Sequence, residues 1–99
     1  MDNIIGIIDE ENTLTDRDEL IIQNSFIKNK DTIYKHIYLY LKDSLDNIEF
    51  NNLERILGKP YFDIETEYIS FTNPLPNGHC LYFETDAEFK FLGNIELFG

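Results

Sequence analysis

The chain has no tryptophan, a single cysteine, three prolines and only eight basic residues against nineteen acidic ones. Each scarcity excludes something. Cys80 alone cannot close an intrachain disulfide, and a secreted domain this small is usually stapled, so a reducing cytoplasmic setting is expected. A net charge of −11 disfavours nucleic acid, whose phosphates would be repelled, and anionic membrane surfaces for the same reason. It favours solubility and fast encounter with cationic proteins. No apolar run is long enough to span a bilayer. The opening Met1-Asp2-Asn3-Ile4-Ile5-Gly6 has no basic segment before an apolar one, so no secretion signal is expected. The five glycines are scattered, and none opens a helix after a strand as phosphate-binding loops require. Zinc needs clustered Cys and His, whereas His79 and Cys80 are adjacent and His36 stands alone, so neither metal nor cofactor is expected. A nucleophilic thiolate needs a cationic neighbour, and Cys80 lies in an anionic segment. Paired carboxylates doing glycosidase chemistry need a cleft with one acid desolvated, which the acid-rich segment around Glu65 and Glu67 does not suggest. No catalytic constellation remains, and no enzyme is expected.

What is present is globular. A hydrophobic content of 42% with 14% aromatics exceeds that of disordered chains, and 99 residues make one domain over 1–99. Ile4-Ile5-Gly6-Ile7-Ile8 reads as a short buried N-terminal strand, although a helical turn also fits. Thr15 with Asp18 three residues on forms a capping box, and Asp16, Asp18 and Glu19 suit the positive end of a helix. That helix is expected to run to about Lys28 and to bury Leu20, Ile22, Phe26 and Ile27. Asn29-Lys30-Asp31 should break it. A second helix, from about Thr32 to Asp46, then follows from Ile33, Ile37, Leu41, Leu45 and Ile48, with Tyr34 and Tyr38 flanking the stripe. Its basic residues, Lys35 and Lys42 with nearby Lys28 and Lys30, read as ordinary solvated surface. A third, short helix through Leu53, Ile56 and Leu57, capped by Asn51 or Asn52, should stop at Gly58 ahead of Pro60.

After Pro60 the hydrophobic period changes to two. Phe62, Ile64, Thr66 and Tyr68 alternate with Asp63, Glu65 and Glu67; Leu81 and Phe83 alternate with Tyr82 and Glu84; Phe89, Phe91, Ile95 and Leu97 alternate with Lys90, Leu92, Asn94 and Glu96. Asn73-Pro74-Leu75-Pro76-Asn77-Gly78 and Thr85-Asp86-Ala87-Glu88 are the connections. The expected fold is α+β: two to three helices packed on a C-terminal antiparallel three-stranded meander, with the N-terminal strand as a fourth.

Residues 61–99 carry seven acids and one base, interleaved with Tyr and Phe. Because a strand alternates its faces, Glu65, Glu67, Tyr82, Glu84 and Glu96 should share one side of the sheet. Read plainly, this is an outward face made polar against aggregation. Read functionally, it is a docking surface for a basic protein, with Tyr82 as anchor.

A helix ending in Leu57-Gly58-Lys59-Pro60, followed by strands with Leu81-Tyr82-Phe83 and Phe89-Lys90-Phe91, resembles small bacterial immunity proteins, the cytoplasmic antidotes of contact-dependent growth inhibition and other polymorphic toxin systems. The resemblance covers the C-terminal half and rests on size, acidity and layout; no functional residue is carried over by motif. It implies an inhibitor that caps a toxin domain, commonly a nuclease with a basic active site. The alternative of another class is a phage-encoded nucleic-acid mimic, of the anti-restriction or anti-CRISPR type, whose carboxylates would follow phosphate-like spacing.

Overall fold

The computed structural model describes residues 4–45 and 48–99. Strand β1 (Gly6–Ile8) leads into a 26-residue helix α1 (Asp16–Leu41), a 3-10 turn (Phe50–Asn52) and the short helix α2 (Leu53–Leu57). Strands β2 (Pro60–Asp63), β3 (Tyr68–Phe71), β4 (Cys80–Glu84) and β5 (Glu96–Phe98) follow. The class is α+β. The five strands form one sheet in chain order, with β1 parallel to β2 and the remaining pairs antiparallel. A parallel neighbour cannot be reached by a hairpin. The helical segment is the crossover that returns the chain to the sheet beside β1.

Three expectations about the helical half need correction. The two expected helices are one. Asn29-Lys30-Asp31 contains neither Gly nor Pro, so helix continuation there costs only tenths of a kcal/mol per residue. The apolar stripe also stays in phase across it: Ile22, Phe26, Ile33, Ile37 and Leu41 are all buried. Asn29 and Lys30 fill the gap in that stripe. The Asn29 amide donates to the carbonyls of Ser25 (2.9 Å) and Glu88 (3.1 Å), and the Lys30 ammonium lies 2.6 Å from a Glu54 carboxylate oxygen. The expected end at Asp46 lies outside the described residues; α1 stops at Leu41, with Lys42 as C-cap. Leu20 and Ile27, expected inside, are 55% and 49% exposed, and Gln23 takes the inward position instead. Asn52 stands at the N-cap of α2, as expected, but its side chain makes no capping hydrogen bond. The capping box at Thr15 and Asp18 is present with both reciprocal bonds, and Gly58 ends α2 at φ +75°, where a side chain would be strained.

The strand half also differs in layout. β2 stops at Asp63, and residues 64–67 form a hairpin turn in place of continued strand. The Asp63 carboxylate accepts the amides of Glu65 (2.9 Å) and Thr66 (3.3 Å), and Glu67 adopts a left-handed φ of 59°. Ile69 therefore pairs with Phe62 on the core side, and Tyr68 faces the other way, opposite to its expected side. The expected long last strand is mostly loop. Thr85 and Leu92 form an isolated bridge, Phe89 and Ile95 are buried from loop positions, and Phe91 is exposed. This loop is stitched to α1 by Asn29, by the T-shaped contact of Phe26 with Phe89, and by His36 Nε2, which donates to the Gly93 carbonyl at 2.8 Å.

The core is one cluster between α1 and one sheet face, along the row Ile7, Phe62, Ile69 and Phe83. Tyr34 lies at its edge against Phe71, with ring centroids 6.1 Å apart, beside a cleft that Asp31 and Glu54 also line. Burial, and then the negative charge of Glu54, push its phenol well above the ordinary tyrosine value. The fold thus favours the protonated phenol. That contribution is complete below the unfolded pKa near 10 and is lost as pH rises beyond it, at up to about 1.4 kcal/mol per pH unit. Denaturant titrations above pH 10 should show Tyr34→Phe losing stability less steeply than the wild type. Parallel curves would mean that Tyr34 ionises as freely in the fold as out of it.

Candidate functional site

The helices cover one side of the sheet. On the other side, alternation and register bring two rows of side chains together. Ile8, Asp63, Tyr68 and Glu84 follow one another across β1 to β4. Gly6, Tyr61, Ser70, Tyr82 and Glu96 do so across β1 to β5, and Cys80 pairs with Phe98 beyond them.

The aromatic members interlock. Tyr68 and Tyr82 meet edge to face with centroids 5.5 Å apart and planes at 89°, and Tyr82 meets Phe98 likewise at 5.5 Å and 71°. Such geometry matches the positive ring edge to the negative face and holds each ring in place. Tyr68 and Phe98 nevertheless remain 39% and 58% exposed. A fourth ring, Tyr61, packs against Gly6 so closely that a β-carbon added there would overlap it, and only glycine fits without displacing the ring. The Lys59 ammonium caps Tyr61 at 5.7 Å from the centroid, a cation–π contact within the chain.

Carboxylates border the rings. Glu84 stands across from Tyr68, and Glu96 across from Tyr82. The Tyr82 phenol is held above its ordinary pKa, first by its hydrogen bond to the Glu96 carboxylate, then by desolvation and the nearby charge. The hydroxyl therefore keeps its proton through neutral pH. Two shallow hollows share Tyr68. One, of about 370 Å³, is bounded by Ile8, Asp63, Tyr68, Ser70, Tyr82 and Phe98. The other, of about 270 Å³, lies between Tyr68, Glu84, Phe91 and Glu96.

Of the expected docking residues, Tyr82, Glu84 and Glu96 come together on this face. Glu65 and Glu67 do not belong to it: both lie on the β2–β3 turn, at the end of the sheet where the Glu67 carbonyl accepts the Thr85 amide at 2.8 Å. Sequence reasoning missed Tyr61, Tyr68 and Phe98. The alternation of Tyr68 and Ser70 with Ile69 and Phe71 was a usable signal for a separate strand. Cys80 lies on the open face, whereas the His36 ring packs against Phe83 on the core side, with centroids 5.3 Å apart, so the sheet separates the two. Among the described residues, no helix is long and apolar enough to cross a membrane. Compared with known proteins, the chain matches no protein-family model, no curated protein and no solved structure.

Proposed function

We propose that this chain is a non-enzymatic, cytoplasmic immunity-type protein. It binds a cognate toxin domain with a basic, nuclease-type surface and neutralises it by occlusion. The observation that carries this reading is the open sheet face, where three interlocked rings stand between two carboxylates on a five-stranded support. Rigid, half-exposed tyrosines lose little entropy on binding and anchor protein interfaces. The flanking acids select a cationic partner and steer its approach. Interleaved rings suit a protein surface better than a phosphate-mimicking row of charge, which places the nucleic-acid-mimic alternative second.

The reading requires a toxin gene beside this one, and the test uses the domain it encodes. Wild-type chain should bind the purified domain and restore growth to cells expressing it. Tyr82→Ala should weaken binding by about 2 kcal/mol or more, the usual threshold for an anchor. Glu84→Lys should slow association, more so at low salt, since screening acts within about 8 Å at physiological ionic strength. Glu65→Lys, a charge on the turn, should alter the association rate with little effect on dissociation. Unchanged affinity in Tyr82→Ala and Glu84→Lys, both folded, would remove the interface from this face.

A further inference from the structure

The hollow between Tyr68, Glu84, Phe91 and Glu96 combines two carboxylates with two rings in one depression of about 270 Å³. We infer that this hollow receives an arginine side chain of the partner, not a lysine. The inference rests on the docking reading above and names the chemistry of the group that docks. Four observations lead to it. Glu84 and Glu96 both line the hollow, so a cation entering it meets acids from two different strands. Tyr68 and Phe91 supply ring surface in the same depression, and Tyr68 is held in orientation by its edge contact with Tyr82. Glu96 stands directly across from Tyr82 in the β4–β5 register, which sets its carboxylate beside the ring cluster with its lone pairs open to an incoming donor. Finally, Lys59 makes a cation–π contact over Tyr61 on the same sheet face, and the Tyr68 ring offers a further such surface.

A planar guanidinium uses all of these features at once. It stacks on a ring while its forked donors reach two carboxylates, whereas a compact ammonium is a point charge with no stacking plane. The adjoining hollow, lined by Tyr82 and Phe98, then takes an apolar side chain next to that arginine.

Two capped pentapeptides test this, Ala-Arg-Phe-Arg-Ala and its twin with lysine for both arginines, each titrated into the folded chain and followed by amide and tyrosine-ring NMR shifts. The arginine peptide should shift Tyr68, Glu84 and Glu96 and bind about three- to tenfold tighter than its twin, the range of one exposed cation–π contact plus a bidentate hydrogen bond. Glu84→Gln and Tyr68→Leu should each bring the two peptides towards equal affinity, and Glu65→Gln should leave the preference intact. Equal affinity of both peptides, with shifts on this face, overturns the arginine inference and leaves the docking reading standing. Shifts confined to other surfaces overturn both. Absence of binding by the arginine peptide at millimolar concentration overturns the inference.

Discussion

Replacing Phe89 by alanine is expected to destabilise the fold by about 3–5 kcal/mol, the range for deleting a fully buried aromatic ring. Phe89 is 1% exposed although it lies in a loop. Its ring meets Phe26 of α1 at 5.4 Å and Phe62 of β2 at 5.3 Å, both edge to face. The side chain thus joins helix, sheet and loop, and no neighbour can collapse into the space without releasing one of the three. Its backbone has φ +57°, a left-handed conformation that bulky residues rarely adopt, so packing holds it there against local preference. Two comparisons separate these effects. Phe91→Ala, at a residue 52% exposed, should stay within about 0.5 kcal/mol of wild type. Phe89→Gly should lose slightly less than Phe89→Ala, because glycine accepts the positive φ at no steric cost. Equilibrium urea unfolding measures all three. A loss under about 1 kcal/mol in Phe89→Ala would show that the ring is not the pin of the core.

Gln23→Leu is expected to cost about 2–4 kcal/mol, because each buried polar group left without a partner costs roughly 1–3 kcal/mol. Gln23 is 9% exposed on α1, and its Oε1 accepts the amides of Ile4 (3.2 Å) and Ile5 (3.1 Å). Its Nε2 donates to the Ile5 carbonyl, so one side-chain amide stands in for a neighbouring strand just ahead of β1. Leucine keeps the volume and supplies none of these bonds. Hydrogen exchange should report the loss first at the β1–β2 pairing, with β3–β4 less affected. Gln23→Glu makes a sharper test. An ionised carboxylate accepts the two amides but cannot donate to the Ile5 carbonyl, and only its protonated form restores that bond. The two amides can be accepted in either form, though better by the ionised one. Burial and a carbonyl oxygen held directly against the second carboxylate oxygen oppose the charge more strongly, so the pKa of this glutamate should rise above its unfolded value near 4.3. Relative to wild type, the variant should therefore be most stable below that value and lose stability as pH rises through the folded pKa. A difference independent of pH would mean that the side chain has turned out to solvent.

Much of this protein was legible in its residues. The capping box at Thr15 and Asp18 and the glycine stop at Gly58 are local chemistry, in which a backbone group and a side chain a few residues apart satisfy each other. The stripe of Ile33, Ile37 and Leu41 and the alternation of Leu81 and Phe83 with Tyr82 and Glu84 are periodicities that any segment of that type must show. They placed α1 against one sheet face and Tyr82, Glu84 and Glu96 on the other. Asn29-Lys30-Asp31 looked like a break because its residues favour caps and turns. Only the tertiary structure supplied Glu88 and Glu54 as partners that make those residues useful inside a helix.

What local pattern could not decide was register and pairing. Where β2 stops is set by the Asp63 carboxylate gathering the amides of Glu65 and Thr66, which took Glu65 and Glu67 off the face and turned Tyr68 onto it. A one-residue change in where a strand ends sends its neighbours to opposite faces. The parallel place of β1 beside β2 depends on a crossover of more than forty residues and on the Tyr61 ring packing against Gly6. The sequence by itself determined an acidic α+β chain with one helix stripe and alternating strands. The tertiary structure decided which rings and carboxylates share the open face, because that choice is made by contacts between segments far apart in the chain.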